Sequence, residues 1–109
     1  MTRTALILIA CLPASLTQGA APDMPREAIV AHFASGAEPR VEAATWSPRN
    51  VLNLGVHYMG ADETALARQT CRLLADHGLA RGMRVRVIDI NTMGADPARW
   101  EVAGEAKCP

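Results

Sequence analysis

The chain has 109 residues, which is enough for one small domain. Its 11 basic and 11 acidic residues give a formal net charge of zero, which excludes a strongly basic nucleic-acid binder and a protein with a long acidic tail. Apolar residues make up 50% of the sequence and aromatic residues only 4%, so the composition excludes a disordered chain and predicts a mainly aliphatic core.

The N-terminal segment has the pattern of a secretory signal peptide over residues 1–21. Arg3 is the only charge before Asp23, an apolar run covers residues 5–16, and the small residues 19–21 follow it. The run is shorter than the roughly 18 apolar residues needed to span a bilayer. The sequence therefore predicts export to the periplasm or the medium, and a mature chain of residues 22–109 without a transmembrane span. The cleavage bond could follow Gly19, Ala20 or Ala21.

A second processing route competes with soluble export. Leu8-Ile9-Ala10-Cys11 resembles a bacterial lipobox, in which Cys11 would be lipidated and become the N-terminus of an envelope lipoprotein. However, the apolar stretch before Cys11 has fewer residues than the usual 7–15 or so, and the apolar run continues beyond it. These features favour soluble export.

Removal of the signal leaves two cysteines, Cys71 and Cys108. Because exported bacterial proteins mature in oxidising surroundings, these two are expected to form a disulfide. Closing a loop of this length contributes about 3.8 kcal/mol in the chain-entropy model. The sequence has no C-x-x-C, and neither its cysteines nor its three histidines have metal-ligand spacing, so we predict a structural disulfide and no metal or cofactor.

The remaining pattern predicts an N-terminal helix followed by alternating strands and helix. Apolar spacing indicates a helix within residues 22–36, capped by Asp23 and ended by Gly36. The later elements are a weak strand 41–46, a turn 47–50, a strand 51–59, a helix 62–77, a strand 83–90 and a loop 91–97. Residues 98–106 could be a short helix or an edge strand, and we favour the strand because a two-stranded sheet needs partners.

These elements predict a small two-layer α/β domain, with α+β as the alternative class. Strand 51–59, helix 62–77 and strand 83–90 form a β-α-β unit, in which the two strands should be parallel. Antiparallel strands and the N-terminal helix would extend this unit. The helix should cover the face that carries Leu52, Leu54, Val56 and Tyr58. The other face should carry Asn53, His57, Arg84 and Arg86.

The candidate ligand site lies beyond the carboxyl ends of the parallel strands, where ligands of such units tend to bind. These ends, at 57–62 and 89–91, carry the candidate site residues His57, Tyr58, Asp62, Asp89 and Asn91. His57 and Asp89 could form a base and its orienting partner. In the alternative interpretation Asp62 caps a helix, Asp89 caps a strand end and His57 is half-exposed.

No motif in the sequence predicts a catalytic residue. Residues 59–62 contain one glycine, against the three of a dinucleotide-binding fingerprint, and no nucleophile is positioned nearby. Arg81, Arg84 and Arg86 form a basic patch that could hold an anionic partner, although a solvated sheet face is the simpler interpretation.

The sequence predicts an exported, non-enzymatic binding or accessory domain, with a protein or a small ligand as its partner and no nucleic acid. The first alternative is a small ligand-binding protein or enzyme that uses the strand ends at 57–62 and 89–91. The second alternative is the envelope lipoprotein lipidated at Cys11.

Overall fold

The computed structural model describes residues 24–109, and the predicted signal peptide, Cys11 and Asp23 lie outside these described residues. The helices are α1 (Met24–Ala34) and α2 (Thr64–Asp76), and the strands are β1 (Val41–Ser47), β2 (Val51–Val56), β3 (Arg84–Asp89) and β4 (Val102–Lys107). Short 3-10 turns occupy Ile90–Thr92 and Pro97–Arg99. Neither helix of the described part is long and apolar enough to cross a membrane.

The four strands form one mixed sheet in the order β1-β2-β3-β4. The central strands β2 and β3 are parallel, while β1 and β4 pair with them in antiparallel fashion. The parallel pair and α2 form the predicted β-α-β unit. Because two of the three strand pairings are antiparallel, the domain is α+β, the alternative of the two predicted classes.

Both helices pack on the same face of the sheet. Alternate residues of the two central strands point to this face and are buried: Leu52, Leu54 and Val56 from β2, and Val85 and Val87 from β3. The helices contribute Ile29 and Phe33 from α1, and Leu66, Ala67, Cys71 and Leu74 from α2. Full burial of one such aliphatic side chain stabilises the fold by about 1.5–3 kcal/mol, so this layer is the core of the domain.

The opposite face of the sheet is partly covered by the chain that comes after β3. Gly55 lies under this segment, because a Cβ built on it would be 2.5 Å from Ile90 Cδ1 and 2.7 Å from Met93 Sδ. Asn53 and Ile88, which also face this side, are fully buried. Asn53 thus lies on the predicted face, but its burial was not predicted, since the alternation of residues along a strand does not show which later segment folds over it.

Two strands end earlier than predicted, β2 by three residues and β3 by one. Val56 pairs with Val41 at the start of β1 and with Asp89 at the end of β3, so residues 57–59 have no strand beside them. β2 therefore ends at Val56, and Tyr58 lies beyond it with 44% of its surface exposed. Likewise, β3 ends at Asp89, because the Asp89 carboxylate accepts from Asn91 N and begins a 3-10 turn.

Residues 98–106 contain both of the predicted alternatives. The Asp96 carboxylate accepts a hydrogen bond from Ala98 N, at 3.0 Å, and begins a single 3-10 turn that includes Pro97. The chain then extends into β4, whose ladder with β3 joins Arg84 to Lys107 and Val85 to Ala106. The strand is therefore confirmed from Val102 onward.

Cys71 and Cys108 lie at disulfide distance, with their sulfurs 2.04 Å apart, and 37 positions separate them along the chain. Cys71 lies on the buried face of α2, and Cys108 directly follows β4, where its N–H donates to the Met83 carbonyl. The pair links the central helix to the edge strand. This confirms the predicted pairing of the two cysteines.

Candidate functional site

A groove of about 450 Å³ lies at the carboxyl edge of β2. One wall is the start of β1, and the other is the chain that leaves β2 and crosses to α2. Val56 is the last residue of β2 that pairs with another strand. Residues 57–63 therefore leave the sheet at this edge, and the groove forms between them and the start of β1. Its charged lining residues are Arg40, Glu42, His57 and Glu63, and Met59 lies beside them.

Arg40 and Glu63 form the inner ion pair of the groove. Arg40 Nη2 donates to both carboxylate oxygens of Glu63. The Glu63 side chain is only 7% exposed, and Glu63 N donates to the Ala103 carbonyl at 3.0 Å. Glu63 also immediately precedes α2, where the positive end of the helix dipole favours a carboxylate. The buried Glu63 carboxylate is therefore stabilised both by the Arg40 guanidinium and by the positive end of the α2 dipole.

Glu42 and His57 form the outer pair, in which His57 Nε2 contacts Glu42 Oε2. The ladder between β1 and β2 shifts register between Val41 and Ala43, so Glu42 lies at a bulge in β1. Bulges of this kind re-aim a side chain at the edge of a sheet. The carboxylate beside the imidazole is thus Glu42, and within the described residues no hydrogen bond or ion pair joins His57 to Asp89.

Asp62 is engaged in starting the helix. Its Oδ1 accepts from Thr64 N at 2.9 Å and from the Thr64 hydroxyl at 2.6 Å. The hydrogen bond from the Thr64 hydroxyl, followed by that from the Thr64 N–H and by the charge of Arg68, holds the pKa of Asp62 below the ordinary aspartate value. These contacts favour the ionised carboxylate of Asp62.

Asp89 and Asn91 belong to a separate turn. Asp89 Oδ1 accepts from Asn91 N at 3.1 Å, and Asp89 N donates to the Glu101 carbonyl at 2.9 Å. Asn91 is exposed, and neither residue lines the groove. The structure therefore places only His57, of the five predicted site residues, in the groove lining, with Tyr58 and Asp62 next to lining residues along the chain.

Sequence reasoning did not identify Arg40, Glu42, Met59 or Glu63 as site residues. A signal existed for Glu42, because the predicted hairpin brings the start of its first strand close to the end of its second. Arg40 and Glu63 are 23 positions apart, and no local pattern joins them. Only the fold, which brings the residue before α2 close to the residue before β1, places them together.

The lining of this groove combines polar pairs with exposed apolar atoms. Within residues 24–109 no Ser, Thr or Cys lines the groove, and no cluster of three His, Cys, Asp or Glu residues could hold a metal ion. Arg40 and Glu63 bring both charge signs to the groove, and its lining also has exposed apolar atoms. It can therefore contact a partner through apolar surface and paired polar groups.

No protein-family model matches this chain, and no match is found among the curated proteins or the solved structures. Function must therefore be inferred from the geometry of its own residues.

Proposed function

We propose that this protein is an exported, non-enzymatic binding domain whose contact surface is the loop of residues 57–61 and the groove that this loop borders. The observation that carries the proposal is Met59, which is 90% exposed beside the half-exposed Tyr58. In the described residues these two side chains and Val102 are the exposed large hydrophobics. Because Tyr and Met are enriched in protein interfaces, the pair favours a protein partner.

The charged residues of the groove fit the same role. Protein interfaces combine an apolar centre with a polar rim. Here Met59, Pro39 and Ala61 supply exposed apolar surface, while Arg40–Glu63 supplies paired charges and Glu42–His57 a polar pair. Since Arg40 is paired with Glu63 and His57 contacts Glu42, the rim attracts neither strongly acidic nor strongly basic surfaces, and the partner should offer an apolar side chain to the groove.

An enzyme that uses the strand ends is the second candidate, and the Glu42–His57 pair favours it. A carboxylate can orient an imidazole that acts as a general base. With no nucleophile in the described lining, such a base would have to activate water or a group of the substrate. His57→Gln separates the two functions, because it should abolish catalysis while changing partner binding far less than Met59→Ser.

Export is proposed from the signal pattern of residues 1–21, with lipidation of Cys11 as the alternative processing route. The intact mass of the protein isolated from its native host distinguishes them. A mature chain that begins near residue 22 supports soluble export. A mass that retains Cys11 with added acyl groups would identify the envelope lipoprotein.

Site-specific crosslinking tests the contact surface. A photo-crosslinking amino acid at position 59 should give a discrete product in extracts of the native cell envelope. The same group at position 49, in the turn at the opposite end of β2, is the matched control and should not give that product. Unlabelled protein should compete for the product, and the Met59→Ser variant should compete at least about tenfold less well.

Two outcomes would contradict the proposal. Equal crosslinking from positions 49 and 59 would mean that the loop makes no specific contact. Equal competition by Met59→Ser and the unchanged protein would mean that the exposed methionine does not contribute to binding.

A further inference from the structure

We propose that a second groove, between α2 and β4, binds a small anionic amphiphile, meaning a molecule with one anionic head group and a short apolar tail. The groove has a volume of about 480 Å³. Ligand sites for small molecules usually measure about 300–1,000 Å³, so its size fits such a molecule. The proposal goes beyond the binding function of the 57–61 loop and uses different residues.

The floor of the groove is formed by alanines, whose methyl side chains are apolar and small. Ala75 comes from α2, Ala80 from the turn after this helix, and Ala106 from β4. Three alanines leave open the space that longer side chains would fill between the helix and the strand. Cys71 also lines the groove and adds its sulfur to the floor, and its bond to Cys108 fixes the distance between the two walls.

The rim carries three positive charges. Arg68 and Arg72 are one turn apart on α2, so their side chains extend from the same side of the helix. Lys107 lies on the opposite wall, on β4, and all three residues are exposed. Two guanidinium groups at this spacing can bind one carboxylate or phosphate with charge-assisted hydrogen bonds.

These cations have no carboxylate partner in residues 24–109. None of the three forms an ion pair or a side-chain hydrogen bond there, and no acidic residue lines the groove. Asp76 follows Arg72 by four residues without pairing with it, and Asp62, whose pKa Arg68 helps to lower, is held by Thr64. An apolar floor inside a cationic rim is complementary to an anionic amphiphile.

Octanoate is a suitable probe, because two related compounds test the contributions of its anionic head group and its apolar tail one at a time. Titration of the oxidised protein in the millimolar range, followed by amide chemical shifts, should move residues 68–75, 80 and 106–108. Acetate has the same carboxylate with a single methyl group, and octyl glucoside has an alkyl tail one carbon longer with a neutral head. Both should bind at least about tenfold more weakly than octanoate.

Variants then test the residues. Arg68→Gln/Arg72→Gln should weaken octanoate binding at least about tenfold, since both charge-assisted contacts are lost. Arg49→Gln/Arg99→Gln removes two exposed arginines outside the groove, and should bind as the unchanged protein does. Ala75→Leu, at an exposed position, should fill the groove and abolish binding while circular dichroism and the disulfide stay unchanged.

Three results would overturn the proposal. If octyl glucoside binds as tightly as octanoate, the rim charges do not select the ligand. If the Arg68→Gln/Arg72→Gln variant binds octanoate unchanged, the two arginines do not hold the head group. If vesicles of anionic phospholipid shift the groove amides while octanoate does not, the partner is a membrane surface instead. Because Met59→Ser leaves this groove intact, failure here and failure of the loop as a contact surface can be told apart.

Discussion

Gly104 of β4 lies directly against the backbone that joins Glu63 to Thr64. A Cβ at position 104 would be 2.3 Å from the carbonyl carbon of Glu63 and 2.4 Å from Thr64 N. Beside this contact, Glu63 N donates to the Ala103 carbonyl at 3.0 Å. The first turn of α2 is thus positioned by β4, and this position brings the Glu63 carboxylate to Arg40.

Gly104→Ala should therefore destabilise the protein by about 1–3 kcal/mol, the usual range for overpacking a tight contact. The methyl group meets backbone atoms, which cannot move aside as a flexible side chain can. Gly94→Ala is the matched control, because nothing lies within 4 Å of its Cβ. Urea denaturation under oxidising conditions measures both variants, and equal midpoints for the two would show that α2 can shift away from β4 without loss of stability.

The cysteine pair should supply a large part of the stability. Cys71→Ala/Cys108→Ala is expected to lower the free energy of unfolding by about 3–4 kcal/mol, because the unfolded chain regains the freedom of a long loop. Treatment of the unchanged protein with dithiothreitol should produce a similar loss. The reductant should leave the double variant unaffected. A urea midpoint that does not respond to reduction would argue against the bond in the native protein.

Asp62 should make stability depend on pH. Its folded pKa is lowered, chiefly by the hydrogen bond from the Thr64 hydroxyl. The stabilisation from its carboxylate is therefore present above the ordinary aspartate pKa and is lost as the pH falls below about 4. Asp62→Ala should lower the urea midpoint near neutral pH, and its difference from the unchanged protein should shrink in acid.

Asp76 provides the control for Asp62, because it lies at the other end of α2. It lies at the carboxyl end of α2, where a negative charge interacts unfavourably with the helix dipole. Asp76→Ala should therefore not lower stability near neutral pH. If Asp62→Ala and Asp76→Ala behaved alike at every pH, the hydrogen bonds from Thr64 would not be the source of the effect.

The regular elements could be predicted because their signals are local. Alternating Leu52, Leu54 and Val56 indicate β2, and the apolar stripe of residues 66–74 indicates α2. The path of the chain after β3 could not be predicted in this way. Ile90 and Met93 cover Gly55 only because the chain turns back at Asp89, and that turn depends on the hydrogen bond from Asn91 N.

Asn53 and Arg86 show that the burial of polar residues could not be predicted from local sequence either. They are direct neighbours across β2 and β3, and alternation places both on the polar face. In the structure, Asn53 Oδ1 is buried without a hydrogen-bond partner in the described part, while Asn53 Nδ2 donates to Ser47 Oγ at 2.6 Å. Arg86 Nε is also buried, and its nearest carboxylate oxygen is Glu105 Oε2 at the ion-pair distance of 3.5 Å. Burial of this kind comes from residues that are distant in the sequence, so no single stretch of sequence predicts it.

The Arg40–Glu63 pair should stabilise the edge of the domain that carries the groove. Arg40→Gln leaves the buried Glu63 carboxylate without its charged partner, and we expect a loss of about 1–3 kcal/mol. In a double-mutant cycle with Glu63→Gln, the coupling energy should be roughly 0.5–3 kcal/mol, towards the lower end because Arg40 is mostly exposed.

The Arg84–Glu105 pair, in which both side chains are exposed, is the control and should give a coupling of about 0–1 kcal/mol. A coupling near zero for both pairs would mean that the start of α2 and the Ala103 contact, and not Arg40, hold Glu63 in place.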